Sequence, residues 1–143
     1  MARILIAEDE DAIRHLIARA LLQDGHEVMT ANDGGEALDL IEREHGAFEL
    51  LLTDIRMPVM DGIALALATA RDHPVITILL MTGYADQRER ASNLTALIHD
   101  VITKPFTLAT IRAAVNAALL AGAQRHAAPA AREPVEPNGI SNP

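Results

Sequence analysis

Residues 50–54 read LLLTD, an apolar run that stops at a carboxylate. Three further apolar runs stop at polar residues of other kinds: at Glu8 and Asp9, at Thr82, and at Lys104. Nearly continuous apolar runs of this length are typical of parallel strands that are covered on both faces. Neighbouring parallel strands bring their carboxyl ends to one edge of the sheet, where open α/β sheets hold their ligands. The sequence therefore predicts a reaction site along that edge.

Strand-like and helix-like segments alternate along the chain. The strands are predicted near residues 3–7, 26–31, 49–53, 75–81 and 98–103. The helices are predicted between Ile13 and Gly25, between Gly34 and Gly46, and over residues 62–72, 85–96 and 107–122. This alternation is the pattern of βαβ units. It predicts an α/β fold, in which helices cover both faces of a doubly wound sheet of five parallel strands.

Local signals support individual helices. The first carries an apolar stripe at helical spacing, made of Ile13, Leu16, Ile17, Ala20 and Leu21. Asp33 and Asp61 are predicted to cap the second and third helices, because a carboxylate there accepts hydrogen bonds from the first N–H groups. Residues 86–90 give the fourth helix almost no apolar face, which predicts a mobile segment.

The composition limits the class of protein. A chain of 143 residues is expected to form one domain with a core large enough to be stable alone. The absence of cysteine excludes disulfides and thiolate metal sites and fits a reducing cytoplasm. A formal net charge of −8 argues against nucleic acid as a partner, since phosphate contacts need a basic face. No apolar segment suggests a membrane span or a signal peptide.

The domain is predicted to occupy residues 1–122 and to be followed by a disordered tail at residues 123–143. Helical periodicity is lost from about Ala123, and four of the seven prolines lie in the last 15 residues. A segment rich in proline and alanine cannot add much to a core. Because no further domain is predicted, this domain is expected to act through another protein.

The polar residues at the strand ends suggest phosphoryl chemistry. Glu8, Asp9 and Asp54 would repel one another if all were ionised, so the site needs a cation. Mg²⁺ is the natural candidate, because it prefers oxygen ligands and binds carboxylates together with phosphate. Lys104 is the only lysine beside 11 arginines, and its compact ammonium suits a phosphoryl oxygen. Asp54, at the end of the predicted central strand, is the predicted nucleophile for an acyl phosphate.

Four segments together resemble the receiver domain of two-component response regulators, a CheY-like family with a flavodoxin-like (βα)5 fold. They are residues 4–10, residues 51–62, Met81-Thr82-Gly83 and Lys104-Pro105-Phe106. The resemblance covers about residues 2–122. It implies that the protein is not an enzyme, apart from its own phosphorylation and slow dephosphorylation, and that a histidine kinase or histidine phosphotransferase is its partner.

The resemblance also implies a role for each site residue. Asp54 would be the phosphoacceptor, and Asp9, Asp54 and the backbone carbonyl of Arg56 would be the magnesium ligands. Glu8 would act through a metal-bound water. Thr82 and Lys104, the two other polar residues at the strand ends, would contact the phosphoryl group.

Two departures from the usual receiver pattern affect these expectations. Many receivers carry an aromatic residue three positions before the lysine, but here that position is Val101, so no ring can rotate inward on activation. Tyr84 and Arg56 stand two residues after Thr82 and Asp54. One hypothesis is that these two bulky side chains restrict the attacking water and prolong the acyl phosphate. The alternative for Tyr84 is packing against the fourth helix.

Among single-domain regulators, the sequence is most similar to the CpdR type. That resemblance implies a place in a cell-cycle phosphorelay and a role as a phosphorylation-controlled adaptor for the ClpXP protease. The protein is expected to be a monomer or a weak dimer. A motility regulator or a phosphorelay shuttle would share every site residue. A phosphatase with an aspartyl-phosphate intermediate commonly has a second acid where this chain has Arg56. A binding module that has lost phosphorylation would not be expected to keep the acids, Thr82 and Lys104.

Overall fold

A computed structural model describes residues 1–83 and 85–132, without the side chains of residues 85, 86 and 127–132. Strands and helices alternate throughout this part of the chain. The elements are β1 (Arg3–Ala7), α1 (Asp11–Gln23), β2 (Glu27–Ala31), α2 (Gly34–Arg43), β3 (Leu50–Asp54), α3 (Gly62–Asp72), β4 (Thr77–Thr82), α4 (Ala85–Ser92), β5 (Asp100–Thr103) and α5 (Leu108–Arg132). Within the described ranges, no helix is both long and apolar enough to cross a membrane.

The five strands form one parallel sheet in the order β2-β1-β3-β4-β5. β3 lies between β1 and β4, with Leu50 opposite both Ile4 and Thr77. The chain reverses its direction of progress across the sheet between β1 and β3, so the ends of these two strands meet at the topological switch point. The predicted α/β fold with a doubly wound five-stranded parallel sheet is confirmed.

Both faces of the sheet are covered, as the apolar strands predicted. Ile4 and Ile6 of β1 pack with side chains of α1 and α5 on one face. Leu5 and its neighbour Leu51 of β3 pack with α2 and α3 on the other. Every residue of β3 is buried. The ends of β1 and β3 therefore rest on a part of the domain that is packed on both faces.

The two predicted helix caps are present. The side chain of Asp33 accepts a hydrogen bond of 2.8 Å from the backbone N–H of Glu36, and α2 begins at the next residue. Asp61 caps α3 in the same way through the N–H of Ala64, at 2.9 Å. Each carboxylate satisfies an N–H group that has no partner within its helix.

The predicted stripe of α1 is wider than the face that the domain buries. Ile17, Ala20 and Leu21 are buried, but Leu16 is 52% exposed. Successive residues of a helix point about 100° apart, so Leu16 lies well off the direction of Ile17. The domain covers only the arc around Ile17 and Leu21, which leaves Leu16 of the stripe exposed to solvent.

Two helix ends differ from the prediction. α4 stops at Ser92 instead of residue 96, because the chain turns and buries Leu94 in the core beside α3 and β4. α5 continues to Arg132, although the prediction placed disorder from residue 123. Arg125 donates to the Thr77 hydroxyl at 3.1 Å, so the extension is bound to the start of β4. Residues 133–143 of the predicted tail lie outside the described residues.

Candidate functional site

Three carboxylates meet at the carboxyl ends of β1 and β3. Glu8 and Asp9 follow β1 directly, and Asp54 is the last residue of β3. One oxygen of each carboxylate lies within 4.8 Å of an oxygen of the other two, and we refer to these three residues as the acidic cluster. Glu8 and Asp54 are buried, whereas Asp9 is exposed. The cluster forms because β1 and β3 are direct neighbours in the sheet.

Lys104 reaches this cluster from the far edge of the sheet. Its Nζ lies 3.1 Å from Oδ2 of Asp54 and 3.5 Å from Oε1 of Glu8. The backbone N–H of Lys104 donates to the carbonyl of Thr82 at 2.7 Å, which attaches the start of the loop after β5 to the end of β4. The ammonium is thus the counter-charge of two buried carboxylates.

Burial governs the protonation of Glu8 and Asp54. Burial, with a smaller contribution from the charge of Asp54, raises the pKa of Glu8 from 4.5 to about 7. Burial also raises the pKa of Asp54, although the charge of Lys104 opposes the shift. For Lys104, burial would lower the pKa, but the charges of Asp54 and Glu8 outweigh it and the pKa is raised. One ammonium therefore does not fully compensate these carboxylates, and the pocket favours a further cation.

Glu8 is held by contacts on both its backbone and its side chain. Its N–H donates to the carbonyl of Ala31 at 3.1 Å, and its Oε2 accepts from the N–H of Glu10 at 3.1 Å. Its carbonyl accepts from Nη1 of Arg14 at 3.0 Å. Arg14 also binds Asp11, so a buried guanidinium ties the end of β1 to the first turn of α1. The sequence analysis missed Arg14, although a charged residue within a predicted apolar helix face is a readable signal.

Thr82 ends β4 and is fully buried. Its Oγ1 donates a hydrogen bond of 2.9 Å to Oε1 of Gln87. Gln87 lies on the buried face of α4, and only 6% of the residue is exposed. The sequence analysis also missed Gln87. It lies in a polar run that predicts solvent exposure, and nothing in that run distinguishes it.

A cavity of about 670 Å³ opens above the acidic cluster. Its lining residues include Asp9, Asp54 and Lys104 from the strand ends, and Arg56 and Gly83 from the loops after β3 and β4. Gly62 lets the loop after β3 close on its own strand, because a Cβ at this position would lie 2.1 Å from the carbonyl oxygen of Asp54. Tyr84 lies outside the described residues.

The residues of the cavity fit a hard divalent cation. Three carboxylate oxygens within 4.8 Å of one another form a donor set of the kind that Mg²⁺ prefers, and the cavity leaves room for water and phosphate. The structure thus brings together Glu8, Asp9, Asp54 and Lys104, with Arg56 at the cavity wall, as the sequence predicted. Thr82 lies at the end of the adjoining strand.

Comparisons with known proteins identify the family of the chain. Residues 4–116 match the model of the response regulator receiver domain. The chain belongs to this family. The resemblance found from the four sequence segments is therefore confirmed for the family, and the receiver domain has the flavodoxin-like fold expected of it.

Relatives of this receiver domain differ widely in length. It is 40% identical over 118 residues to the regulatory protein AtoC of Escherichia coli, covering 82% of this chain and 25% of AtoC. It is 36% identical over 116 residues to the sensor kinase CckA of Brucella abortus, covering 80% of this chain and 12% of CckA. It is 37% identical over 108 residues to the receiver protein CpdR of the same organism, covering 76% of this chain and 88% of CpdR.

Solved structures show the same receiver fold. A CheY-like receiver domain protein from Methanospirillum hungatei is 30% identical, with a TM-score of 0.79 over 87% of this chain and 98% of that one. The response regulator TrrA from Thermotoga maritima, solved in complex with Mg²⁺-BeF, is 30% identical, with a TM-score of 0.71 over 82% of this chain and 98% of that one.

Proposed function

We propose that this receiver domain accepts a phosphoryl group on Asp54 in a magnesium-dependent phosphorelay and signals through protein–protein interaction. The observation that carries the proposal is the position of Asp54. Its carboxylate lies in a cluster of three acids at the switch point of the sheet, 3.1 Å from the only lysine of the chain. A buried carboxylate beside a cation and an open cavity is suited to attack on a bound phosphoryl group.

The two oxygens of Asp54 have different hydrogen-bond partners, which supports a choice of the attacking atom. Oδ1 accepts from the backbone N–H of Ile55 at 3.0 Å, which holds the carboxylate in one orientation. Oδ2 faces Lys104. We infer that Oδ2 forms the new P–O bond while the bond from phosphorus to the donor breaks and the donor leaves with its electron pair. Lys104 then moves from the carboxylate to a phosphoryl oxygen, and Thr82 donates its hydroxyl hydrogen to another.

Magnesium would be held by Asp9, Asp54 and the backbone carbonyl of Arg56, with Glu8 acting through a bound water. When bound, Mg²⁺ supplies charge neutralisation on the transferred group. The three-carboxylate donor set supports this assignment, as does the similarity to TrrA, whose structure contains Mg²⁺-BeF. The phosphodonor would be a histidine kinase or a histidine phosphotransferase, and a segment of the sensor kinase CckA is among the relatives of this chain.

For the output, we propose a CpdR-like adaptor that controls the ClpXP protease in a cell-cycle phosphorelay in the cytoplasm. The support is the 37% identity to CpdR over 88% of that protein's length. A motility regulator or a phosphorelay shuttle is the second candidate, because similarity at the same level extends to regulators such as AtoC. Capture of partners by the two phosphorylation states separates the candidates: an adaptor retains ClpXP in one state, whereas a shuttle retains only kinases and phosphotransferases.

The proposed phosphorylation is tested by intact mass after incubation with a small acyl-phosphate donor, with and without Mg²⁺. We expect a gain of one phosphoryl unit that requires both Mg²⁺ and Asp54, with Asp54→Asn as the matched control. No gain in any condition would contradict the proposal and favour a binding module. Sustained turnover of phosphate esters would instead indicate a hydrolase with an aspartyl-phosphate intermediate. Arg56 argues against this alternative, because it stands where such phosphatases commonly have a second acid.

A further inference from the structure

Polar side chains tie α4 to the rest of the receiver domain. Gln87 accepts a hydrogen bond from Thr82 of β4, Arg88 donates to the hydroxyl of Thr103 at the end of β5, and Arg90 binds the capping residue of α3 at 2.9 Å. Of the α4 side chains that the structure describes, Gln87 and Ala91 are buried. Hydrogen bonds can exchange partners without reshaping a packed core, so α4 can be displaced more easily than the helices with broad apolar faces.

Gln87 differs from the two arginines because its partner is a residue of the proposed phosphorylation site. Its amide reaches from α4 into the interior and accepts the hydroxyl hydrogen of Thr82 at 2.9 Å. A hydroxyl carries a single hydrogen. The hydrogen bond to Gln87 therefore competes with the hydrogen bond that Thr82 would make to a phosphoryl oxygen on Asp54.

We propose that Gln87 is the positioning residue that couples Thr82 to α4, and this inference rests on the proposed phosphorylation of Asp54. In the unphosphorylated domain, the Thr82 hydroxyl donates its hydrogen to Gln87, and this hydrogen bond helps to keep α4 against β4. When the phosphoryl group takes the hydroxyl, the amide oxygen of Gln87 loses this donor in a buried position, which is unfavourable. α4 then shifts until the amide finds another partner or water.

This coupling would allow phosphorylation of Asp54 to change the surface of the domain at α4 without the rotation of an aromatic ring. Position 101 on β5 is a valine, so a ring that rotates inward is absent at this place in the chain. The contact from Gln87 to Thr82 links the phosphorylation site to α4 through one hydrogen bond, and Arg88 carries a displacement of α4 on to the end of β5. A hydroxyl hydrogen that passes from Gln87 to the phosphoryl group would give α4 two distinct arrangements.

The first test uses the unphosphorylated protein and does not depend on the proposed function. Gln87→Leu keeps the side-chain volume but removes the acceptor, and Thr82→Val removes the donor. Each is expected to raise hydrogen exchange of the backbone amides of α4 about 2- to 12-fold, the factor that corresponds to one net hydrogen bond of about 0.5 to 1.5 kcal/mol. The increase in the double variant should be smaller than the sum of the two single increases, because both changes remove the bond between Thr82 and Gln87. Additive effects would overturn the coupling.

The second test compares α4 with and without Mg²⁺ and beryllofluoride, which mimics the phosphoryl group. The wild type should change its α4 exchange on addition, Gln87→Leu should lose that change, and Gln87→Glu, which keeps an acceptor, should retain it. Gln87→Leu should also be phosphorylated by a small acyl phosphate about 2- to 12-fold faster, since Thr82 no longer has to leave a partner.

Arg90→Gln is the matched control, because it removes the ion pair between α4 and Asp61, which does not involve Thr82. It should keep the response to beryllofluoride. A full response in Gln87→Leu, or a lost response in Arg90→Gln, would overturn the role of Gln87. A wild-type protein that never gains phosphoryl mass would instead contradict the proposed function, while the first test would still decide whether Gln87 and Thr82 are coupled.

Discussion

The acidic cluster stands on β3, which is buried from end to end, and on β1, which is buried from Ile4 to Ala7. By contrast, α4 is held to the domain by hydrogen bonds of Gln87, Arg88 and Arg90. The cluster must hold its charged groups in place while charge develops, so a rigid support is an advantage. α4 has to take two positions, and a few exchangeable polar contacts allow this. The same domain thus combines a fixed site for chemistry with an element that can report on it.

The largest effect is expected from a truncation in the rigid region. Leu51 of β3 is fully buried in the core that the sheet forms with α2 and α3, so Leu51→Ala would leave a cavity there. We expect the free energy of unfolding to fall by about 2–5 kcal/mol, measured by urea denaturation. Leu97→Ala is a control of the same chemistry at a half-exposed position and should cost far less. Equal losses would contradict the view that stability is concentrated in the central strands.

The second prediction concerns the charge that faces Asp54. Lys104→Met keeps a long side chain but removes the ammonium that lies 3.1 Å from Asp54. Phosphorylation by a small acyl phosphate should slow by about 100- to 1,000-fold, the range for losing one donor to a developing charge. Mg²⁺ binding, measured by calorimetry, should persist, because the acids remain. If the rate is unchanged, Lys104 only balances charge in the resting protein.

The third prediction follows from the buried acids. The pKa of Glu8 is about 7 in the folded protein, compared with 4.5 for the unperturbed group in the unfolded chain. Between these two pH values, the folded state keeps a proton that the unfolded state has released. Without Mg²⁺, the free energy of unfolding should therefore fall as pH rises from 4.5 to about 7, and the raised pKa of Asp54 acts in the same direction. Glu8→Gln should flatten this dependence in thermal or urea unfolding.

Magnesium should reverse the loss of stability at higher pH, since it competes with the protons that Glu8 and Asp54 bind. At about one hundred times its dissociation constant, a ligand that binds only the folded state adds about 2.7 kcal/mol. We expect Mg²⁺ to stabilise the protein more at about pH 8 than at about pH 5.5, and chelation to remove the difference. Equal stabilisation at both values would mean that the cation binds elsewhere.

The fourth prediction tests access to the acyl phosphate. Arg56 lies at the wall of the cavity, and Arg56→Ala is expected to speed the loss of the phosphoryl group a few-fold by admitting water. Tyr84→Ala should have a similar effect if its ring shields the same group. Decay of the phosphorylated mass with time measures both, and Arg19→Ala, on the exposed side of α1, is the control. A wild-type rate in both variants would exclude shielding.

The smallest effect is expected at the surface of α4. Arg90→Gln breaks the ion pair with Asp61, in which both side chains are partly exposed. Pairs of this kind contribute about 0.2–1 kcal/mol, so urea unfolding should barely change, and added salt should weaken the wild-type pair as well. A loss as large as that of Leu51→Ala would show that α4 is as firmly held as the central strands.

The sequence by itself determined the strands, the capped helices and the polar residues at the strand ends, because these features follow from local periodicity. Once five parallel strands are inferred, Glu8, Asp9, Asp54 and Lys104 must meet at one edge of the sheet, since the carboxyl ends of neighbouring strands lie together. The sheet order β2-β1-β3-β4-β5 then brings the acids of β1 and β3 into direct proximity.

Only the tertiary structure decided which polar side chains cross between elements. Arg14 is buried on the same face of α1 as Ile17, and Gln87 on the same face of α4 as Ala91, but residue type alone does not specify the partners that they meet there. Packing also decided that Leu16 is exposed. The extension of α5 beyond residue 122 was not predicted, because helical periodicity is lost there, and the structure shows that Arg125 binds it to Thr77 of β4. The raised pKa values of Glu8 and Asp54 likewise depend on burial, which is a property of the assembled fold.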